Sequence, residues 1–233
     1  LQQNGSISVT QLSELFKVSE VTIRKDLSYL EQQKKLYRTH GSAILISPYI
    51  SDRHVNEKEK KNVAEKRAIG AAAAALVSQD DSIIIAREIK PVGHLTVITA
   101  AVPVTQILSQ HADVDVIQLG GITRSSSVSV VGPFAEAMLR NFNCSKLFVG
   151  VDGIDKEFGL TTTNVLEASL NDAMINAAQK VVVLADSSKF GRRGFSKICD
   201  LEAVDRIITD SGVQPLYLER LRERGIEVTV VDV

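Results

Sequence analysis

Ser19, Glu20, Thr22, Arg24, Lys25 and Ser28 crowd hydroxyl, acidic and basic groups into one short stretch, VSEVTIRKDLSYLE. Arg and Thr side chains at such spacing can hydrogen-bond base edges in a DNA groove, while Lys neutralises phosphates. That chemistry needs a rigid support, and the flanking residues predict one. A short apolar-periodic helix over 10–16 meets a tight turn at Lys17 and Val18, and a second helix opens on Ser19. The Ser19 hydroxyl is a suitable N-cap, able to accept from a first-turn amide. Val21, Leu27 and Leu30 are expected to share the inward face of this second helix, leaving the polar residues outward. Two helices joined so closely, the second presenting basic and hydroxyl groups, predict a helix-turn-helix. The segment LYRTHGSAIL around Gly41 predicts a hairpin wing carrying Arg38 and His40. An ordinary helical hairpin with a solvated charged face is the alternative.

A second set of groups sits where strands are expected to end. LGGITR places Gly120 and Gly121 before Arg124, a combination of exposed amides and a guanidinium that can hold a phosphate. GVDGID ends an apolar run on Asp152, whose carboxylate can accept sugar hydroxyls or stabilise a turn. LTTTNVLE leads three hydroxyls into a helix with Asn164 as a cap and Glu167 in the first turn, which capping alone would also explain. LADSSKFG closes another apolar run on Asp186, two serines and Lys189.

These groups need a scaffold, and seven β-branched runs supply it: SIIIA, LTVIT, VDVIQL, KLFVGV, VVVLA, RIIT and EVTVVDV. Segments of helical character separate several of them. Near-continuous apolar strands alternating with helices predict a mostly parallel sheet covered on both faces, with ligands at the carboxyl ends of its strands. One interval breaks the pattern. Only the eight residues Arg87 to His94, with Pro91 and Gly93 among them, join the first two runs, fewer than a parallel crossover uses. Either residues are missing from this interval or a true deletion has damaged the ligand site.

The chain's 233 residues, with net charge −1, suit one small and one medium domain. The near-neutral balance excludes a uniformly basic nucleic-acid coater. Any DNA affinity must come from a local patch, and the first 47 residues carry six Lys or Arg against four Asp or Glu. Cys144 and Cys199 lack metal-ligand spacing and read as buried or free thiols of a reducing cytosol; no metal or cofactor is expected. The Ala-rich run 68–77 is too short and too flanked by charge to span a membrane. A soluble cytoplasmic protein is expected, with a DNA-binding domain over 1–50, a linker merging into a helix over 51–67, and an α/β domain over 68–233. The charge run in the linker reads as a solvated face.

The motifs resemble the DeoR family of bacterial transcriptional regulators. VSEVTIRKDL followed by R-x-H-G-S-A is similar to that family's N-terminal domain, with Ser42 in place of the second wing glycine. The chain opens at Leu1 inside the expected first helix, without the family's RR-x-x-I lead-in. GG-x-x-R, VGVDGI, TT-x-N-x-x-E and ADSSKFG resemble, in the same order, the family's sensor domain, itself similar to sugar-phosphate isomerases. The resemblance implies an α+β winged helix-turn-helix followed by an α/β, mostly parallel-sheet sensor. It implies an effector held by Thr99, Gly120, Gly121, Arg124, Asp152, Glu167, Asp186 and Lys189, and a Gly/Ser/Thr-rich phosphate loop with the first turns of a helix after Ala86, so that about ten residues are expected to be missing there. The implied function is regulation, most often repression, of sugar catabolism by a homodimer or homotetramer on operator DNA, with a sugar or sugar phosphate as effector. A sugar-phosphate isomerase or deaminase, with Glu167 or Asp152 as base, and a DNA-binding protein with a degenerate sensor are the alternatives.

Overall fold

The computed structural model describes residues 6–33, 36–39, 42–45, 61–85 and 93–233. Two compact units result, Leu1–Ser51 and Asp52–Val233. The first contains β1 (Ser6–Ser8), α1 (Val9–Phe16), α2 (Glu20–Gln32), β2 (Leu36–Thr39) and β3 (Ser42–Leu45). Ser8 and Gln11 close α1 with a reciprocal capping box, and Lys17 ends it in the left-handed region at φ 53°. Ser19 then caps α2 through the Thr22 amide, the role its sequence position predicts. The wing is an antiparallel pair of β2 and β3, extended by β1 on the other side of β3.

Among the described residues the core of this unit is formed by Val9, Ile23, Leu27 and Leu36, with Leu12 and Leu30 packed against them. Val21 does not belong to it. At 77% exposure it points outward, and Ile23 takes the expected inward place. Helical geometry gives the reason. Positions 23, 27 and 30 fall on one stripe at steps of four and three, whereas 21 lies about 120° away from 27.

The second unit is built on a seven-stranded sheet in the order β15-β14-β12-β9-β4-β5-β6, every neighbouring pair parallel. Its strands are β4 (Ser82–Ile85), β5 (Leu95–Thr99), β6 (Val114–Gln118), β9 (Lys146–Gly150), β12 (Val181–Leu184), β14 (Arg206–Asp210) and β15 (Glu227–Val231). They correspond to the seven apolar runs. Helices α3 (Val63–Ala74), α4 (Val102–Leu108), α5 (Pro133–Leu139), α6 (Val165–Asn176) and α7 (Pro215–Glu223) accompany them. Alternation along each strand divides the core between two faces. Ile84, Leu147, Val149, Val183 and Ile207 enter one cluster; Ile83, Phe148, Val182 and Ile208 enter the other.

Two small additions have no forerunner among the apolar runs. β7 (Ile122–Arg124) and β8 (Ser129–Val131) form a hairpin, and β10 (Gly153–Asp155), β11 (Gly159–Thr162) and β13 (Ser196–Cys199) form an antiparallel sheet. β4 and β5 pair in parallel, Ile83 opposite Val97, although only residues 86–94 join them. The expectation of missing residues after Ala86 falls on 86–92, which lie outside the described residues. Among the described residues no helix is long and apolar enough to cross a membrane.

Candidate DNA-reading helix and effector site

α2 carries its polar groups as the sequence suggests, and most are tied to one another. Glu20 accepts from the Thr10 hydroxyl of α1 at 2.8 Å and from Arg24 Nη2 at 3.0 Å. Those hydrogen bonds, Arg24 first, hold the Glu20 carboxyl below its ordinary range. Ser19 Oγ lies 2.9 Å from Thr22 Oγ1, and Ser28 Oγ donates to the Arg24 carbonyl at 2.8 Å. Arg24, Lys25 and Val21 are exposed on the same side. Arg38 sits on β2, its side chain outside the described residues, as is the whole of His40.

In the second unit, parallel pairing brings the carboxyl ends of the strands to one edge. Thr99 ends β5, Gly120 follows β6, Asp152 follows β9, Asp186 follows β12 and Asp210 ends β14. Arg124, Asp152 and Glu167 meet there through two threonines. Thr162 Oγ1 lies 3.0 Å from Asp152 Oδ2 and 3.5 Å from Glu167 Oε2, and Thr163 Oγ1 lies 3.4 Å from the same Asp152 oxygen. Arg124 Nη1 is 2.5 Å from Glu167 Oε1, close as an ion pair though not aligned as a hydrogen bond. Its Nη2 donates to Ser126 Oγ at 3.0 Å. Asn164 places Glu167 by accepting from the Leu166 and Glu167 amides, so capping and site assembly coincide at the start of α6.

Asp186 and Lys189 bracket the short 3-10 turn Ser187–Lys189. Asp186 is 3% exposed and caps this turn through the Ser188 amide. It also accepts from Asn62 Nδ2 at 2.8 Å, a residue 124 positions earlier that stands at φ 52° immediately before α3. The neighbouring Asp210 accepts from the amides of Ser187 and Gly212. Burial alone would raise its carboxyl, but these amides outweigh it and keep the pKa below the ordinary value.

Thr99 and the glycine pair stand slightly apart. Thr99 is fully buried and its Oγ1 accepts from the Ala101 amide. The Gly120 amide faces the Met138 sulfur at 3.3 Å. Gly121, at φ 147°, lies so close to Val131 that a Cβ would come 2.7 Å from its carbonyl oxygen. Gly153 plays a similar part beside Asp152, letting the Arg192 backbone pass against β10 more closely than any side chain would permit.

Thr162, Thr163, Asn62 and Asp210 were not among the residues expected at this edge. The run of hydroxyls before Asn164 was the available signal for the threonines. A carboxylate ending the RIIT strand was the signal for Asp210. Nothing local marks Asn62. The assembled edge offers carboxylates as hydroxyl acceptors, threonine hydroxyls, and cationic groups from Arg124 and Lys189, a set suited to a polyhydroxylated ligand. A separate cavity of about 230 Å³ lies at the opposite strand ends, lined by Leu76, Lys146, Val182, Arg206 and Glu227. Lys180 and Asp205 line it too; Lys146 pairs with Asp81 at 2.6 Å, Arg206 pairs with Glu227, and Asp205 accepts from the Val181 amide. Among the described residues no group of three or more His, Cys, Asp or Glu is arranged to hold a metal.

The family comparisons agree with both units. Residues 1–49 match the model of the DeoR-like helix-turn-helix domain and residues 61–211 that of the DeoR C terminal sensor domain. The chain is 38% identical to the uncharacterized HTH-type transcriptional regulator YulB of Bacillus subtilis, covering 99% of this chain and 93% of that one. It is 37% identical to the putative aga operon transcriptional repressor of Escherichia coli O157:H7, covering 99% and 90%. The HTH-type transcriptional repressor GlcR of Bacillus subtilis is 30% identical over 100% of this chain and 93% of its own. Among solved structures, ribose 5 phosphate isomerase A from Neisseria gonorrhoeae aligns over 55% of this chain and 53% of its own, at 15% identity and a TM-score of 0.35. With a helix-turn-helix in one unit, a parallel-sheet sensor in the other, and full-length similarity to regulators, this chain belongs to the DeoR family of DNA-binding transcriptional regulators.

Proposed function

We propose that this regulator represses a sugar-catabolism operon in the cytoplasm and that a sugar or sugar phosphate, bound at the carboxyl edge of the sensor sheet, controls it. The observation that carries this reading is the joined network of Arg124, Glu167, Thr162 and Asp152 at the strand ends, in a domain matching the DeoR sensor. Relatives named as repressors of the aga operon and of the lactose phosphotransferase system support the sugar class. As a DeoR-family regulator the chain is a DNA-binding protein rather than an enzyme.

Ser19, Glu20, Thr22, Arg24, Lys25, Ser28, Arg38 and His40 form the DNA-reading set in this proposal. Arg24 addresses a base edge and Lys25 a phosphate. One short helix reads few base pairs, so two or four copies act on paired half-sites about one helical turn apart or a multiple of it. The effector must bind the DNA-incompetent arrangement more tightly, because equal affinity shifts nothing. Moving operator occupancy from nearly full to nearly empty takes about 5.5 kcal/mol of differential binding. Two to four charged hydrogen bonds of about 1.5–3 kcal/mol supply it.

The test is thermal stabilisation by a panel of sugars and sugar phosphates, in the wild type and in Lys189→Ala. One compound class is expected to raise the melting temperature of the wild type and to do so less in the variant. Silence across the panel would point instead to a sensor that has lost its ligand. Sustained conversion of a panel member would contradict the regulator reading.

A further inference from the structure

The outward face of α2 holds an apolar group that the DNA-reading set does not use. Val21 is 77% exposed, the most exposed of the large hydrophobic residues described in either unit. It stands three, four and seven positions before Arg24, Lys25 and Ser28, so the four share one helical stripe. The unit's own core has no use for it, since Ile23 and Leu27 fill the inward face. The polar groups around it are turned towards each other: Ser19 bonds Thr22, and Glu20 holds Arg24. The first turn therefore presents methyl groups at its centre and cations at its border.

A recognition helix places its N-terminal residues against base edges. In the major groove, bases present donors and acceptors, and the single apolar group among them is the thymine 5-methyl. A β-branched apolar side chain centred on this face, with Arg24 beside it for a base edge and Lys25 for a phosphate, has that methyl as its complement. We propose that Val21 is a specificity-determining residue that reads a thymine methyl in each operator half-site. This rests on the assignment of α2 as the DNA-reading helix.

The test uses the full chain and a duplex enriched by it from a randomised pool. Each thymine of that duplex is replaced in turn by deoxyuridine, which removes the methyl and leaves base pairing intact. Burying one methyl is worth about a fourfold change in affinity. The wild type is expected to lose about fourfold at one thymine in each half-site, and Val21→Ala to show less than about a twofold loss at the same positions. Val21→Ala touches no core residue and improves helix propensity, so its melting curve should match the wild type. Insensitivity of the wild type at every thymine, or an undiminished deoxyuridine effect in Val21→Ala, would overturn the proposal. Failure of the pool to enrich any duplex would overturn the DNA-reading assignment and the proposal with it. Enrichment that depends on Arg24 and Lys25 but ignores deoxyuridine would overturn the proposal alone.

Discussion

The two units hold their working groups in opposite ways. On α2 most contacts are local: Ser19 to Thr22, Glu20 to Arg24 and Ser28 to the Arg24 carbonyl span three or four positions, Glu20 also reaches Thr10 of α1, and all are exposed. At the sensor edge Asp152, Thr162, Thr163 and Asp186 are buried, Arg124 and Glu167 nearly so, and several contacts join segments far apart in the chain. Arg124 reaches Glu167 and Asp186 reaches Asn62. The exposed set is free to meet an external partner with little desolvation. The buried set is fixed in advance, so a ligand there meets groups already oriented, and any change it causes is felt by the packed scaffold.

This contrast can be broken, and the largest effect is expected in the core of the first unit. Leu27→Ala truncates a core residue of the first unit, 4% exposed, and should cost about 2–5 kcal/mol. That unit should then unfold, abolishing DNA binding while thermal stabilisation of the sensor by its ligand persists. Loss of both would show that the units are not energetically separate.

Next comes the sensor edge. Glu167→Ala leaves the Arg124 guanidinium, 12% exposed, without its carboxylate. We expect a loss of about 3 kcal/mol in urea unfolding of the sensor, with Glu167→Gln less severe. Equal stability of Glu167→Ala and wild type would mean that the pair is effectively solvated.

Arg24→Ala should be smaller and confined to binding, about 1–3 kcal/mol, concentrated at one operator position if the guanidinium meets a base. Lys25→Ala should weaken all sequences alike and flatten the salt dependence. Unchanged affinity in both would move the DNA-reading surface away from α2.

The smallest expected effect lies at the exposed rim of the sensor. Arg193, bonded to Asp155, is the main reason that this carboxyl is held at about 2 against an ordinary 3.8, followed by burial opposing it and the Phe158 and Glu157 amides assisting. A lowered folded pKa stabilises above the unfolded value and loses that contribution as pH falls through the folded value. Arg193→Ala should therefore be slightly less stable than wild type near neutrality, with the gap closing between about pH 4 and pH 2. A gap that is constant with pH would assign the loss to the contact with the Phe158 ring instead.

The same contrast governs what the sequence revealed. Local spacing was enough to recognise α1, the Ser19 cap and α2, because those elements are stabilised by neighbours three and four positions away. It erred at Val21, where an apolar residue was assumed to face inward although its phase differs from that of Leu27. In the sensor, the parallel strands were legible because the inner ones are buried on both faces and read as near-continuous apolar runs, while the edge strands β6 and β15, partly exposed, still carry β-branched residues. The β7–β8 hairpin and the β10–β11–β13 sheet were not, since strands of three or four residues such as Ile122–Arg124 and Ser196–Cys199 carry no clear alternation. The strand-end carboxylates were visible as residue types. Their partners were not: no local pattern announces that Asn62 meets Asp186, or that Thr162 stands between Asp152 and Glu167.

The central claim is that one unit reads DNA and the other adjusts that reading through a sugar-type ligand. Fluorescence anisotropy of the promoter fragment adjoining the gene, titrated with the full chain with and without a sugar-phosphate panel, tests it directly. The account predicts tight, salt-dependent binding whose midpoint one compound class shifts, and loss of the shift but not of binding in Lys189→Ala. Tight binding that no compound alters, or no binding at all, would contradict it.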